Sequence, residues 1–309
     1  MNSLRFRLMF ALLALVASAS AFAAQSRTWT DMPTDTFCNG AAGTFGNPLP
    51  ADMCYRMDVA YGSDALQKLD VYMPSQTAHN APIIVMVHGG GWYQGDKFDN
   101  PVVRNKVEYW VRRGVVFISV NYPLVPNSDP LQQARSVAQG LGYAQKHAAE
   151  WGGDSRKVIL MGFSAGGHLV SLLAAQPRLA ISMGARSWLG TVVLDSAAYD
   201  VPAIMNNPYH DPMFDDAFGS NPKYWTSVSP MAQMRSRIAP FLAVCSSVEG
   251  GSCGRAQPFV DKALGYGTDA MMVKEGLEHD DINDKLGLLP DYTSEVNAFM
   301  TALYNGTLK

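Results

Sequence analysis

The 309-residue sequence lacks a charge excess, an internal repeat, a low-complexity segment and any second long apolar run. With a formal net charge of −3, it predicts neither a nucleic-acid partner nor attraction to an anionic membrane surface. The missing repeat excludes solenoid architectures, and the missing low-complexity tract excludes a long disordered tail. The oligomeric state stays open at this point.

The one long apolar run, Leu8–Phe22, follows Arg5 and Arg7 and ends in Ala21-Phe22-Ala23, an A-x-A pattern. This arrangement predicts a secretory signal peptide over residues 1–23. A membrane anchor is the alternative, but about 15 apolar residues fall short of the roughly 20 that span a bilayer. We therefore expect no membrane partner and a secreted or periplasmic mature protein.

Cysteine is scarce, with four residues at positions 38, 54, 245 and 253. An even number in an exported chain predicts two disulfides, and of three possible pairings we favour the local one, Cys38–Cys54 with Cys245–Cys253. Zinc is the rival explanation, but the sequence has no paired C-x-x-C and no nearby histidine pair. We therefore predict no metal site.

The chain after residue 23 divides into two parts. Residues 24–54 are rich in Gly, Pro, Asn and Thr and predict an irregular N-terminal arm. Residues 55–309 form the predicted main domain, which opens with two antiparallel edge strands, 55–61 and 67–72. Buried apolar strands then alternate with amphipathic helices. This alternation predicts an α/β fold with a mostly parallel central sheet and helices on both faces.

The motif G-x-S-x-G occurs as Gly162-Phe163-Ser164-Ala165-Gly166, between a buried strand and an amphipathic helix. A serine on such a sharp strand-to-helix turn adopts a strained conformation that projects its hydroxyl above the sheet. The helix N-terminus and the backbone N–H of Ala165 favour negative charge beside it. The context indicates a nucleophile rather than a solvated turn serine.

Another glycine-rich turn, His88-Gly89-Gly90-Gly91-Trp92, follows the buried strand 82–87. Consecutive glycines let the backbone point N–H groups into a cavity, where they can bind an oxyanion. The alternative is an ordinary glycine turn with a packed tryptophan. His88 itself is predicted to brace this turn, and His168 to be a hydrogen-bonded core histidine.

Together the two motifs resemble those of the α/β-hydrolase superfamily, over roughly residues 55–305. The nearest resemblance is to its esterase branch: BD-type feruloyl/acetyl-xylan esterases, kynurenine-formamidase-like enzymes and hormone-sensitive-lipase-like carboxylesterases. The resemblance implies Ser164 as nucleophile, oxyanion donors from Gly90, Gly91 and Ala165, and no cofactor. It also implies a histidine base on the loop after the last strand, where His279 lies.

The acid departs from the family pattern, because no aspartate follows the strand that ends at Cys245. Glu249 is the carboxylate in that loop, and the chain order Ser164, Glu249, His279 matches the order typical of the fold. We therefore predict Glu249 as the acid. Asp195, after the preceding strand, is the main alternative; Asp280 and Asp281 are others.

These residues predict a serine carboxylic-ester hydrolase that acts through an acyl-enzyme on small or aromatic acyl esters. Two alternatives stay open: a formamidase or amidase, and a non-catalytic binding protein with the same fold. We expect aromatic loop residues to contact substrate, namely Trp92, Tyr93, Tyr122, Tyr209 and Trp225.

Overall fold

The computed structural model describes residues 53–75, 79–248 and 251–308, and the backbone alone of Phe37–Cys38. The predicted signal peptide, residues 1–23, and most of the predicted arm lie outside these ranges. Of the helices in the described ranges, none has the length and apolar character that crossing a bilayer requires.

A nine-stranded sheet forms the centre of the structure, in the order β1-β2-β3-β5-β4-β6-β7-β8-β9. The strands from β5 to β9 in that order are parallel, and β1, β2 and β3 add an antiparallel edge. The strands are β1 Phe37–Cys38, β2 Met53–Ala60, β3 Lys68–Pro74, β4 Ala81–Val87, β5 Val116–Val120, β6 Gly153–Phe163, β7 Gly190–Leu194, β8 Phe241–Ser246 and β9 Ala270–Glu275.

Helices cover both faces of this sheet. They are α1 Asn100–Val111, α2 Pro130–His147, α3 Ala165–Ala175, α4 Pro177–Ser182, α5 Val201–Met205, α6 Met213–Phe218, α7 Pro222–Ser227, α8 Pro230–Gln233, α9 Ser252–Gly265, α10 His279–Asp284 and α11 Pro290–Tyr304, with a 3-10 turn at Ala148–Trp151. One core contains residues of α2, α3 and α9, and the other contains residues of α1, α10 and α11.

The continuous apolar run of β4 follows from this double cover. Ile83, Val85 and Val87 lie in the first core, while Ile84 and Met86 lie in the second. Because successive strand residues point to opposite faces, a strand buried on both sides needs apolar residues at every position. The predicted mostly parallel sheet with helices on both faces is confirmed.

Two boundaries differ from the sequence prediction. The predicted irregular arm, 24–54, contains β1 and the start of β2, because pairing with β3 extends the sheet back to Met53. The Pro- and Asn-rich segment 199–230, which the sequence predicts only as a connection after a strand, folds into short helices. Pro202 and Pro222 lie in first turns of these helices, where the backbone N–H that proline lacks would have no partner within the helix.

Of the two predicted cysteine pairs, the structure describes the side chains of both members only for Cys245 and Cys253. Cys245 and Cys253 are joined through their Sγ atoms, at the end of β8 and the start of α9. The backbone of Cys38 lies opposite Cys54 in the β1–β2 ladder. The side chain of Cys38 is outside the described part of the chain, so the first pair stays a prediction.

Candidate active site

Ser164 occupies the turn between β6 and α3 with φ 52° and ψ −116°. This is a strained conformation for a residue with a side chain, as predicted for the G-x-S-x-G turn. The flanking glycines follow from close packing. A Cβ on Gly162 would lie 2.5 Å from the carbonyl oxygen of Gly166, and a Cβ on Gly166 would overlap the carbonyl oxygen of His88.

His279, the first residue of α10, lies directly against this serine. Its Nε2 is 3.0 Å from Ser164 Oγ, and its Nδ1 is 2.7 Å from Asp195 Oδ2. A carboxylate oxygen only accepts, so this pairing requires the proton on Nδ1. The Nε2 lone pair then faces the Ser164 hydroxyl and can accept its proton.

Asp195 follows β7 immediately and is buried, with φ 46°. The parallel register explains its position: Phe163 pairs with Leu194, so the next residues, Ser164 and Asp195, emerge side by side. Asp195 Oδ1 accepts hydrogen bonds from the Ser246 amide, at 2.8 Å, and from the Ser252 hydroxyl. Burial opposes ionisation of Asp195, but the hydrogen bonds from His279, Ser252 and Ser246 outweigh it and hold its pKa below the usual value.

The contact that the sequence analysis assigned to Glu249 is therefore made by Asp195, the alternative acid. Glu249 itself lies outside the described residues. Asp281 forms an ion pair with Lys285 at 2.7 Å. Asp280 lines the cavity beside the site. One feature of the sequence favours Asp195. It comes directly after β7, and β7 is the next strand along the chain after β6, the strand that leads into Ser164.

Side chains of α1 form hydrogen bonds with the short helix that carries His279. The buried Lys106 Nζ donates to the carbonyl oxygens of Pro101, at 2.9 Å, and Asn283, at 2.5 Å. The Asn105 side chain donates to Asp284 O at 2.6 Å. Burial lowers the pKa of Lys106 to about 7. These donors satisfy carbonyl groups at the C-terminal end of α10, which otherwise lack partners.

On the other side of Ser164 lies the glycine turn. Gly90 and Gly91 have φ values of 104° and 58°, and both line the cavity with Ala165, the first residue of α3. A Cβ on Gly90 would overlap the backbone oxygen of Gln94. Within the described ranges, the amides of Gly90, Gly91 and Ala165 donate to no protein acceptor. Their N–H groups therefore remain available to a bound anion.

Two buried contacts hold the tryptophan of this turn. Trp92 Nε1 donates to His168 Nδ1 at 3.2 Å, and His168 Nε2 donates to the Val228 carbonyl at 2.7 Å. Burial lowers the pKa of His168 to about 4, which keeps this imidazole neutral. His168 is thus the hydrogen-bonded core histidine that the sequence predicts.

The residues around the turn brace it as well. His88 is buried, its Nδ1 contacts the Gly89 carbonyl at 2.7 Å, and its ring stacks on Tyr122 at 4.5 Å. Just downstream, Lys97 is buried and forms ion pairs with Asp58 at 3.0 Å and with Asp70 at 3.1 Å. The backbone around the glycines is therefore fixed before any ligand binds.

A cavity of about 560 Å³ opens above Ser164, His279 and the glycine turn. Of the predicted aromatic contacts, Trp92, Tyr93 and Tyr209 line it. The structure corrects the predictions for Tyr122 and Trp225, which are not among the described residues that line it. Tyr122 is buried against His88 and donates to its carbonyl at 3.0 Å, while Trp225 Nε1 donates to Gly219 O at 2.9 Å.

Other lining residues were not anticipated from the sequence. Met213 and Phe214 come from the 199–230 connection, and Ser252 and Arg255 come from the first turns of α9. No local motif marks them, because the tertiary fold alone brings these two segments over the serine. The helical spacing in the sequence predicts a helix around 257–265, whereas α9 begins five residues earlier, at Ser252.

Comparison with known proteins agrees with the motifs. The family model BD-FAE matches residues 69–247, more than half of the chain. A probable isoprenylcysteine alpha-carbonyl methylesterase of Arabidopsis thaliana is 27% identical over 116 residues, 38% of this chain and 24% of that protein. Kynurenine formamidase of Danio rerio is 26% identical over 157 residues, 51% of this chain and 50% of that protein. The aligned regions span a quarter to a half of these curated relatives.

Among solved structures, esterase B of Lactobacillus rhamnosis matches 84% of this chain and 90% of its own, with a TM-score of 0.69 and 19% identity. Thermogutta terrifontis esterase 2 matches 81% of this chain and 94% of its own, with a TM-score of 0.63 and 22% identity. At such identities the likeness concerns the fold. The chain therefore has the α/β-hydrolase fold and belongs to the BD-FAE family.

Proposed function

We propose that this protein is a serine carboxylesterase in which Ser164 is the nucleophile, His279 the base and Asp195 the acid. The observation that carries the proposal is the chain of contacts from Ser164 Oγ through the imidazole to Asp195 Oδ2, at 3.0 and 2.7 Å. Both distances are within the reach that proton transfer between nucleophile and base requires.

The mechanism follows from this geometry. His279 Nε2 takes the proton of Ser164 while Oγ attacks the ester carbonyl carbon, and the amides of Gly90, Gly91 and Ala165 bind the oxyanion. His279 then protonates the departing alcohol, which leaves an acyl-enzyme. A water molecule, deprotonated by the same nitrogen, attacks the acyl carbon and releases the acid and the free serine.

Substrates of this mechanism are esters with a small or aromatic acyl group. The supporting feature is the wall of the cavity, where Tyr93, Phe163, Met213 and Phe214 present apolar surface close to Ser164. A cavity of about 560 Å³ is within the usual size range for small-molecule sites.

Hydrolysis of p-nitrophenyl acetate by the wild-type protein and by Ser164→Ala tests the proposal. We expect the substitution to lower kcat by about 10⁴-fold or more, because the covalent step is lost. Ser171→Ala is the matched control on the same helix, since Ser171 Oγ donates to the Gly167 carbonyl within the core. If wild type and Ser164→Ala both hydrolyse the ester only at the uncatalysed rate, the esterase is refuted and a binding protein is left; equal turnover above that rate would refute Ser164 as the nucleophile.

A formamidase is the second candidate, favoured by the similarity to kynurenine formamidase over about half of the chain. The same nucleophile and oxyanion donors act on a formamide, whose leaving group is an amine. Turnover of N-formylkynurenine compared with that of aryl acetates separates the two: a higher kcat/KM for the formamide would favour the formamidase.

The pH dependence of activity is expected to report on His279. Hydrogen bonds hold the pKa of Asp195 below its usual value, so Asp195 stays ionised across the assay range. The base must be neutral to accept a proton, and an ordinary histidine has a pKa of about 6.5. We therefore expect kcat/KM to rise through about pH 6–7.5 and then to level off. A plateau that extends down to pH 4.5 would exclude a histidine base.

We also propose that residues 1–23 direct export and are removed. N-terminal sequencing of the protein expressed from its full-length gene in a bacterial host tests this. A mature chain that begins at Ala24 in the periplasm or medium is expected, and an intact N-terminus in the cytoplasm would contradict export.

A further inference from the structure

The Asp195 carboxylate is held from the side opposite His279 by two donors that belong to one cross-linked loop. Ser246 follows Cys245 directly, and Ser252 precedes Cys253 directly. Those two cysteines are joined. The cross-link thus connects the neighbours of both groups that donate to Asp195 Oδ1.

We propose that Ser252 is a positioning residue for the acid, and that the Cys245–Cys253 disulfide maintains this role. The inference rests on the esterase function proposed above. With Oδ1 engaged by two donors, the carboxylate cannot rotate, and Oδ2 stays directed at His279 Nδ1 at 2.7 Å. Ser252 thereby acts on the imidazole through Asp195.

The need for a cross-link follows from the intervening sequence. Gly250 and Gly251 come just before Ser252, and Gly251 has a φ of 92°. Glycine has the most backbone freedom of any residue, so Gly251 gives the start of α9 little rigidity of its own. Ser252 is nevertheless buried, with 3% of its surface exposed. The disulfide therefore limits the positions that Ser252 can adopt, which the glycine before it would otherwise leave variable.

Ser252→Ala tests the positioning role. We expect kcat for p-nitrophenyl acetate to fall about tenfold, the order of magnitude for losing one hydrogen bond to a charged group, with KM unchanged. Ser252→Thr keeps the hydroxyl and is expected to restore most of the rate. Ser247→Ala is the matched control, because Ser247 Oγ donates to Glu275 O, away from the acid, and its kcat should equal that of wild type.

Ser252 also lines the cavity, so direct contact with substrate is the rival explanation. A double-mutant cycle separates the two. If Ser252 acts through the acid, Ser252→Ala adds no further loss in an Asp195→Asn background. A loss of equal size in both backgrounds, or a rise in KM without a change in kcat, would overturn the positioning role.

Thiol titration of the unfolded, unreduced protein first establishes whether the cross-link forms. Cys245→Ala combined with Cys253→Ala is then expected to lower kcat per folded molecule, with the folded fraction measured by circular dichroism. Adding Ser252→Ala to that double variant should cost less than the tenfold seen in wild type. An unchanged kcat, or free thiols at both positions, would refute the role of the disulfide.

These outcomes are distinct from failure of the esterase proposal. In that case Ser164→Ala would retain wild-type turnover, whatever the Ser252 variants do. The Ser252 and cysteine variants are therefore interpreted only beside the Ser164→Ala measurement made on the same substrate.

Discussion

Asp195→Asn is expected to lower kcat by about 10³- to 10⁴-fold while leaving the fold intact, as removal of the acid does in other serine hydrolases. The effect follows from the donors around the side chain. Because the Ser246 amide donates to Oδ1, an oxygen must remain there. The asparagine NH₂ group would then face His279 and donate to Nδ1.

An imidazole that accepts at Nδ1 must carry its proton on Nε2. In that tautomer the nitrogen beside Ser164 is a donor and cannot take the serine proton. The substitution thus disables the base without changing the volume of the side chain. Steady-state kinetics with p-nitrophenyl acetate, with the melting temperature as a check on folding, measure this outcome.

Glu249→Gln is the matched comparison, since Glu249 is the acid that the family pattern favours. If Asp195 is the acid, the glutamine variant should keep its kcat within about twofold, because the Glu249 carboxylate then takes no part in the reaction. The assignment fails if Glu249→Gln loses most of its activity and Asp195→Asn does not. The acid would then come from the loop after β8.

Gly91→Val is expected to lower kcat by about 10²-fold or more by disturbing the oxyanion donors. Gly91 has φ 58°, where a β-branched residue is strained, and its Cβ would lie 2.7 Å from the Tyr93 ring. Because a β-branched residue is strained at this φ, the substitution moves the backbone of the turn, and with it the amides that face the cavity. The loss should appear in kcat rather than in KM, because the oxyanion forms only after attack.

Gly114→Val provides the control for backbone strain. Gly114 has φ 84° and lies in the loop between α1 and β5, and a Cβ at this position would have no neighbour within 4 Å. Both variants carry the strain of a β-branched residue at positive φ, so both should melt at a lower temperature than wild type. A kcat for Gly91→Val that matches that of Gly114→Val would show that the oxyanion donors lie elsewhere.

Much of this protein can be read from its sequence because its main elements are locally encoded. Strand β4 is apolar at every position, which predicts burial on both faces, and the glycines around Ser164 predict a tight strand-to-helix turn. Such patterns depend on residues close together in the chain. The order of the strands and helices, the turn at Ser164 and the histidine after the last strand follow from them.

Which carboxylate contacts His279 does not follow from such local patterns. It depends on the register between β6 and β7, which places Asp195 beside Ser164. It also depends on Ser246 and Ser252, which turn the Asp195 carboxylate toward the imidazole. The family pattern, which places the acid after the strand that ends at Cys245, favoured Glu249, because that pattern carries no information on these contacts.

The wall of the cavity depends on tertiary structure for the same reason. Tyr122 and Trp225 have the aromatic character expected of a substrate contact, but their neighbours bury or turn them away from the cavity. Met213, Phe214 and Arg255 line it because the fold brings α6 and α9 to the same cavity. Local patterns in the sequence by themselves determined the fold and the turn at Ser164 as predictions, and the resemblance of its motifs implied Ser164 as nucleophile and His279 as base. Only the packing of distant segments decided which carboxylate meets the imidazole and which side chains face the substrate.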